Sequence, residues 1–346
     1  MIFALHNPDI LPASSPTMLY NMVRELHGST IFFVLSGFLI TNYIQTRALA
    51  TATDYVKFIL TRLFRLYPLY WCILLVLHLQ WLFFIPELLL HITLLKGYFA
   101  KVSLAGIVQA WSLTVEITFY LLTPFIFRLI KTRSLFAIYL IILFAGVILT
   151  LAGLLLNHYG FNPYGFMADF NFFLITTFFG RATDFFAGIF LFYKIKNNQP
   201  ISNIKGLRLS YTYLGIALFL VIIFVISLCG EKGDVGLKSW PGLLINNFIL
   251  PWPVILFIYG LINEQTLISK LLSSKPVSLL GNASYAFFLI HLGWVKNYVY
   301  INITPSLVAN FFLLWFISIL LYLFFEKPLY KLAKRKIMAL SRRTTA

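Results

Sequence analysis

The sequence predicts an all-α, polytopic transmembrane helix bundle in a single domain, and three observations support this prediction. Hydrophobic residues make up 60% of the 346 residues and charged residues only 11%, with a mean hydropathy of +0.87. A soluble protein with a polar surface does not carry so few charges. The apolar residues form continuous runs of about 17 to 25, which is the length of a membrane-spanning helix rather than of a barrel strand. Basic residues lie between these runs on every second side.

About nine complete spans are predicted, covering residues 29–46, 69–85, 111–130, 135–156, 172–193, 211–229, 242–262, 277–298 and 306–325. The basic connections alternate with connections that carry mostly acidic residues. We expect an integral protein of a bacterial inner membrane. The positive-inside rule places the basic tail after residue 326 on the cytoplasmic side of that membrane. The net charge of +16 is explained by this topology and not by a nucleic-acid partner. Glu326 and Pro328 are predicted to end the last helix.

The segment before the first complete span is expected to contain only part of a helix. An odd number of spans and a cytoplasmic C-terminus put this segment outside, with His6 at the outer end of a first helix. Residues 1–5 are too short to cross a bilayer, so we expect a start codon assigned late or a truncated gene. Residues 1–346 are otherwise expected to form one membrane domain with no appended soluble domain.

Ionisable side chains inside apolar runs are the strongest indications of function. Glu116, Arg181, Asp184 and His291 all lie in predicted spans, where an unpartnered charge costs several kcal/mol. Each also has a structural alternative. Arg181 and Asp184 are three residues apart, which predicts an ion pair on one helix face. Glu116 could instead hydrogen-bond a neighbouring Ser or Tyr, and His291 could be a buried packing histidine.

Two arginines at the predicted cytoplasmic entrance of the second complete span have two interpretations. Arg62 and Arg65 lie on one helix face, where guanidinium groups suit bidentate binding of phosphates. The positive-inside rule alone would also put basic residues there. The sequence contains no Gly-rich phosphate loop and no Cys/His metal spacing, so no metal is expected. Cys72 and Cys229 lie in apolar runs, which does not favour a disulfide.

The motifs along the chain resemble, in type and order, those of the acyltransferase-3 family of integral membrane O-acyltransferases. They are Leu5-His6, FFVLSGFLI at residues 32–40, RLFRLYP at 62–68, WSLTVE at 111–116, RATD at 181–184, Ser284-Tyr285 with His291, and FEKP at 325–328. The resemblance covers essentially the whole chain. It implies transfer of an acyl group, commonly acetyl, from cytoplasmic acetyl-CoA or another acyl-CoA. The implied acceptor is a hydroxyl of an extracytoplasmic glycan or a related small molecule.

The resemblance also implies roles for individual residues. His6 matches the family's essential histidine and would act as the general base, an assignment that suits imidazole chemistry, with Glu116 beside it. Arg62 and Arg65 would bind the acyl-CoA. The substrate-tunnel candidates are Trp111, Tyr120, Arg181, Asp184, Ser284 and His291. The family also has an arginine about ten residues before the histidine, a position that would precede Met1.

Two other functions fit the same residues. A proton-coupled transporter or a flippase of a small molecule or glycolipid also needs intramembrane Glu, Asp, Arg and His. The absence of a visible internal repeat, or of matched Gly/Pro-broken helices, argues against it. The third reading is an inactive relative, favoured only by the incomplete first helix.

Overall fold

The computed structural model describes Phe3 and residues 6–7, 17–26, 28–47, 49, 51–198, 210–230 and 235–343. It is 81% helical and contains no strand within the described ranges. The all-α fold class is therefore confirmed. The longer helices, in chain order, are α1 Thr17–Arg24, α2 Gly28–Arg47, α3 Ala52–Trp81, α4 Ile85–Ile92, α5 Trp111–Leu129, α6 Leu135–His158, α7 Phe170–Thr176, α8 Ala182–Lys196, α9 Tyr211–Leu228, α10 Trp240–Leu244, α11 Pro251–Asn263, α12 Leu267–Leu272, α13 Lys275–Ile290, α14 Trp294–Asn302, α15 Leu307–Leu321 and α16 Lys327–Arg343.

In the part of the chain that the structure describes, seven helices are long and apolar enough to cross a membrane, and a bent pair raises the number to eight. The seven are Leu19–Arg47, Ala52–Gln80, Val108–Leu129, Leu135–His158, Tyr211–Leu228, Trp240–Asn263 and Leu307–Ile337. The polytopic bundle is thus confirmed. Two of the predicted spans, however, are interrupted, and each interruption carries a charged or titratable residue.

The chain divides into two compact units, and the first contains residues 1–47, 130–161 and 167–274. Within it α2 packs along α8, and α9 packs along α11. The α2–α8 contact is close because glycines face each other: a Cβ on Gly37 would lie 2.2 Å from the Phe185 carbonyl oxygen, and one on Gly188 would lie 2.1 Å from that of Val34. Small residues allow such close approach of membrane helices.

The predicted span at residues 172–193 is broken in this first unit. Helix α7 ends at Thr176, Thr177 is extended with φ −105° and ψ 152°, and α8 begins at Ala182. Gly180 lies in the break, where a Cβ would come within 2.2 Å of the Phe173 carbonyl oxygen. Non-helical backbone inside a membrane protein must be satisfied by other protein groups or by water. In this break Asn247 serves that purpose by donating to the carbonyl oxygens of Leu174 and Gly180.

The second unit contains residues 48–129, 162–166 and 275–346. Its helix α3 begins at a capping box formed by Thr51 and Asp54 and continues for 30 residues. It ends at Trp81 and is followed by Leu82, whose φ of 46° is left-handed. The predicted start at residue 69 was therefore wrong, because the helix begins at this capping box and continues through Pro68. As a result, Arg62 and Arg65 lie well inside a helix rather than at its entrance.

Two further boundaries in the second unit differ from prediction. Helix α13 ends at Ile290, and the chain bends by 87° into α14, so residues 277–298 are not one straight span. At the other end of the unit, Glu326 and Pro328 do not end a helix. A π-helical turn, Tyr322–Glu326, connects α15 directly to α16. The wider turn precedes Pro328, a residue that would otherwise clash with the preceding turn of an α-helix.

Candidate functional site

Glu116 is a buried carboxylate in the middle of the second unit. It lies in α5 with 4% of its surface exposed. The Tyr120 hydroxyl, one turn further along the same helix, donates a hydrogen bond to Glu116 Oε1. The hydrogen bond to a neighbouring tyrosine that the sequence offered as an alternative is therefore present. It satisfies one of the two carboxylate oxygens and fixes the orientation of the group.

The two arginines of α3 lie close to this carboxylate–phenol pair. Helix α3 packs against α5, with the rings of Phe58 and Tyr120 6.2 Å apart. The Arg62 guanidinium lies over the Phe58 ring at 5.5 Å. Both Arg62 and Arg65 are within electrostatic range of the Tyr120 hydroxyl. Two permanent positive charges therefore lie near a phenol that is hydrogen-bonded to a buried carboxylate, which is a suitable environment for an anion.

Two residues that sequence reasoning did not assign to a site join the same cluster. Glu326, in the π-helical turn, interacts electrostatically with Arg65. Tyr285 of α13 donates a 2.6 Å hydrogen bond to the Leu66 carbonyl oxygen and is within range of both carboxylates. Glu326 was missed because the helix was predicted to end there. Its place directly after the apolar run of residues 306–325 is the sequence signal that could have identified it.

The segment between α4 and α5 is held together by a buried lysine. Lys96 Nζ donates hydrogen bonds to the carbonyl oxygens of Ala105 at 2.5 Å and Ile107 at 2.8 Å. Burial lowers the pKa of Lys96 to about 7. His91 is fully buried nearby, its ring 4.8 Å from that of Phe83. Burial, and secondly the charge on Lys96, lower the pKa of His91 to about 4. The imidazole is therefore neutral at physiological pH.

This segment is hydrogen-bonded to the first turns of α5. Thr114 Oγ1 donates to the Leu94 carbonyl oxygen at 2.5 Å and accepts from the Gly97 amide at 3.1 Å. One turn further, the hydroxyls of Tyr98 and Thr118 are 2.7 Å apart. Both threonines flank Glu116 in sequence. The segment therefore sets the position of the helix that carries the carboxylate, beginning at the half-buried Trp111.

His291 and Ser284 have different environments although both belong to the predicted set. His291 lies at the 87° bend, fully buried, with Nδ1 2.7 Å from the Phe288 carbonyl oxygen and its ring stacked on Phe287. Gln109 donates to two carbonyl oxygens, those of Phe288 and Leu289, both at 2.8 Å. Ser284 is exposed and donates to the Gly281 carbonyl oxygen of its own helix. A tunnel role for either residue stays a prediction.

In the first unit, the predicted ion pair is present and belongs to a larger network. Arg181 and Asp184 are 2.7 Å apart, with 3% and 0% of their side chains exposed. Arg181 also donates to Thr30 Oγ1 and to Asn247 Oδ1, both at 2.7 Å. Asn247 lies in a π-helical segment, Ile245–Ile249, and donates to the carbonyl oxygens of Leu174 and Gly180. The network thus satisfies the broken backbone between α7 and α8.

Sequence reasoning did not predict the contribution of Thr30 and Asn247, because neutral polar residues in membrane helices carry little signal of their own. His6 also belongs to the first unit and is exposed, whereas Glu116 belongs to the second. A shared site for His6 and Glu116 therefore stays a prediction. Asp9, Lys205, Arg208, Glu231 and Asp234, which contributed to the predicted topology, lie outside the described residues.

The apolar spans and buried charged clusters define an integral membrane protein with intramembrane polar sites, consistent with catalysis or transport. A family model described as an acyltransferase domain matches residues 5–326. The chain belongs to this acyltransferase-3 family, which confirms the resemblance seen in the motifs.

Among curated proteins, the chain is similar to O-acetyltransferase OatA from three Staphylococcus aureus strains, NCTC 8325 / PS 47, COL and MW2. In each case the identity is 25% over 296 residues, covering 76% of this chain and 45% of the relative. The chain thus matches less than half the length of these curated relatives. No solved structure matches it.

Proposed function

We propose that this protein is a membrane O-acetyltransferase that moves an acyl group, usually acetyl, from acyl-CoA to a hydroxyl of an extracytoplasmic glycan. The family membership and the OatA relatives support the reaction class. The observation that carries the proposal is the cluster in the second unit. It places Arg62 and Arg65 within electrostatic range of the Tyr120 hydroxyl, which is bonded to the buried Glu116.

The donor would be held by the two arginines. Their guanidinium groups remain charged at any physiological pH and match the geometry of phosphate oxygens. Acyl-CoA carries several phosphates on the part of the molecule that does not react. Binding that part through Arg62 and Arg65 would position the thioester without consuming either residue in the chemistry. The basic connections predict a cytoplasmic location for this end of the unit.

His6 would carry out the proton transfer. Its imidazole removes the proton from the acceptor hydroxyl as the oxygen attacks the thioester carbonyl carbon. The carbon–sulfur bond then breaks, and the proton passes from the imidazolium to the CoA thiolate. Glu116 would stabilise the imidazolium, as a carboxylate does in a catalytic triad. The net result is one ester and one thiol, with no covalent enzyme intermediate.

The test is transfer of labelled acetyl in proteoliposomes. Purified protein is reconstituted, acetyl-CoA labelled in its acetyl group is supplied on one side, and bacterial glycans are supplied on the other. The proposal expects ester-linked label on glycan, released by mild base, and stoichiometric free CoA. Label that appears only as free acetate, or on no glycan offered, would contradict glycan acetylation.

A second candidate is proton-coupled transport, and one observation favours it. Helix α7/α8 is discontinuous at the buried Arg181–Asp184 pair, and transporters bind substrates at broken helices. The same proteoliposomes distinguish the two functions. A pH-sensitive dye inside the vesicles would report proton flux in the absence of acyl-CoA if the protein were a transporter, whereas an acetyltransferase requires acyl-CoA for turnover.

A further inference from the structure

A cavity opens between the ends of α2 and α8 in the first unit. Its volume is about 340 Å³, and three of the residues that line it are apolar, namely Phe38, Phe192 and Ile195. The other four are polar, namely Asn42, Gln45, Thr46 and the exposed Lys196 at the edge. The lining therefore combines apolar and polar side chains, a composition that suits an amphiphile.

The lysine at the edge is held in place by a short chain of hydrogen bonds. Lys196 Nζ donates to Gln45 Oε1 at 3.2 Å, and Gln45 Nε2 donates to the Tyr193 hydroxyl at 3.2 Å. The ammonium also lies 6.0 Å from the centre of the Phe192 ring, which belongs to the apolar part of the lining. An ammonium group has three N–H donors, and only one is used within the described residues. The others are available to a ligand at the cavity mouth.

The charge around the cavity selects for an anion. Helix α2 ends in Arg47, and Lys196 lies in the last turn of α8. The only carboxylate in these two helices, Asp184, lies in the first turn of α8 and is paired with Arg181. No carboxylate is among the residues described as lining the cavity. A basic pocket between membrane helices is a typical binding site for anionic lipid headgroups.

We propose that this cavity binds one anionic phospholipid, with its phosphate at Lys196 and an acyl chain along Phe38 and Phe192. The two helices end here on the side that the basic connections predict to be cytoplasmic, where a phospholipid phosphate would lie level with the helix ends. The lipid would brace the α2–α8 pair at the end opposite the Arg181 network. The proposal does not depend on the acyl-transfer reaction, because none of the residues that line the cavity belongs to the proposed donor or proton-transfer sites.

Native mass spectrometry of the protein released from nanodiscs tests this site. The nanodiscs contain phosphatidylglycerol and phosphatidylethanolamine in equal amounts. The wild-type protein is expected to retain one phosphatidylglycerol. Lys196→Gln should lower that retention about fivefold, the effect of one basic residue near an anionic bilayer surface. Thr46→Trp, which fills the cavity from an exposed position, should lower it without changing the charge.

Lys194→Gln is the matched control, because Lys194 lies on the same helix two residues away but packs over Phe190, outside the cavity. It should retain phosphatidylglycerol like the wild type. Equal loss in Lys194→Gln would show a general surface charge effect and overturn the site, as would unchanged retention in both cavity variants. Loss of the retained phosphatidylglycerol when acetyl-CoA is added would show that the phosphate position binds a soluble ligand, and it would overturn the lipid assignment. Helix content of each variant, measured by circular dichroism, verifies that retention is compared between folded proteins.

Discussion

Tyr120 donates its phenolic hydrogen to Glu116 one helical turn away, in the same packed layer that brings Arg62 over Phe58. The bond explains how a carboxylate can be accommodated in a helix that is buried along most of its length. A hydrogen-bonded carboxylate with one oxygen fixed can present its other oxygen in a defined direction.

His6→Ala is expected to reduce acetyl transfer by about a hundredfold or more, because a general base contributes that much to the rate. The measurement is labelled acetyl transferred per minute in proteoliposomes. His158→Ala is the control, since His158 lies exposed at the end of α6. Turnover like that of the wild type in His6→Ala, at equal expression, would remove His6 from the mechanism.

Glu116→Gln should lower activity by a route shared with His6. Without the carboxylate the protonated imidazole is less stable, so the acid limb of the rate profile should move to lower pH. If both residues serve one step, the double variant should be hardly slower than His6→Ala alone. Tyr120→Phe provides the comparison, because it removes only the hydrogen bond. Additive losses in the Glu116/His6 cycle would restrict Glu116 to helix packing.

Arg62→Ala and Arg65→Ala are expected to raise the KM for acyl-CoA, and lysine should restore it poorly because lysine lacks the planar fork. Steady-state kinetics at varied acyl-CoA concentration measures this effect. The structure adds a complication at Arg65, since Ala leaves Glu326 without that charge partner. Lys57→Ala, on the same helix, is the control. Kinetics of Arg62→Lys indistinguishable from wild type would exclude phosphate binding by this residue.

Breaking the Arg181–Asp184 pair should destabilise the first unit strongly. Arg181→Met leaves Asp184 buried without its partner, at an expected cost of about 3–5 kcal/mol. The double variant Arg181→Met/Asp184→Leu should recover part of that loss, although Asn247 and Thr30 lose a donor. Thermal unfolding in detergent compares the variants. A melting temperature of Arg181→Met equal to that of Arg133→Met, an exposed control, would contradict a structural role for the network.

Acid should loosen the segment between α4 and α5. The pKa of His91 in the folded protein, about 4, lies below its ordinary 6.5, so the folded state binds this proton less readily than the unfolded state does. Stability from His91 is therefore present above pH 6.5 and is lost as the pH falls from 6.5 to 4. Lys96, the charged group beside it, opposes protonation throughout this range. Limited proteolysis of residues 85–107 should accelerate over the same interval, and His91→Phe should abolish that acceleration.

A result that would contradict the His91 prediction is proteolysis that accelerates equally in His91→Phe. In that case the acid-sensitive group would lie elsewhere. His78 is the matched comparison, because its ring stacks on Phe83, the same ring that contacts His91. His78→Phe should leave the acid response of the segment unchanged.

Much of the fold followed from local physical chemistry. Apolar runs of membrane-spanning length predicted helices, and the spacing of Arg181 and Asp184 predicted the ion pair that the structure contains. The helix boundaries were less accurate. Residues 52–68 were assigned to a connection because they are charged, yet Thr51 and Asp54 form a cap that begins α3 there. Charge marks proximity to water or to a polar cluster, and sequence alone does not distinguish the two.

The sequence by itself determined the class of the protein, its membrane-spanning elements and its family, because these depend on composition, period and motif order. The tertiary structure decided which polar residues share a site. Arg65 acts beside Glu326, and Arg181 beside Thr30 and Asn247, across separations of 66 residues or more that no local pattern encodes. The breaks at residues 177–181 and 291–293 were likewise set by packing. A helix is interrupted in a membrane only where other parts of the protein can satisfy its backbone, and that condition is fulfilled by long-range contacts.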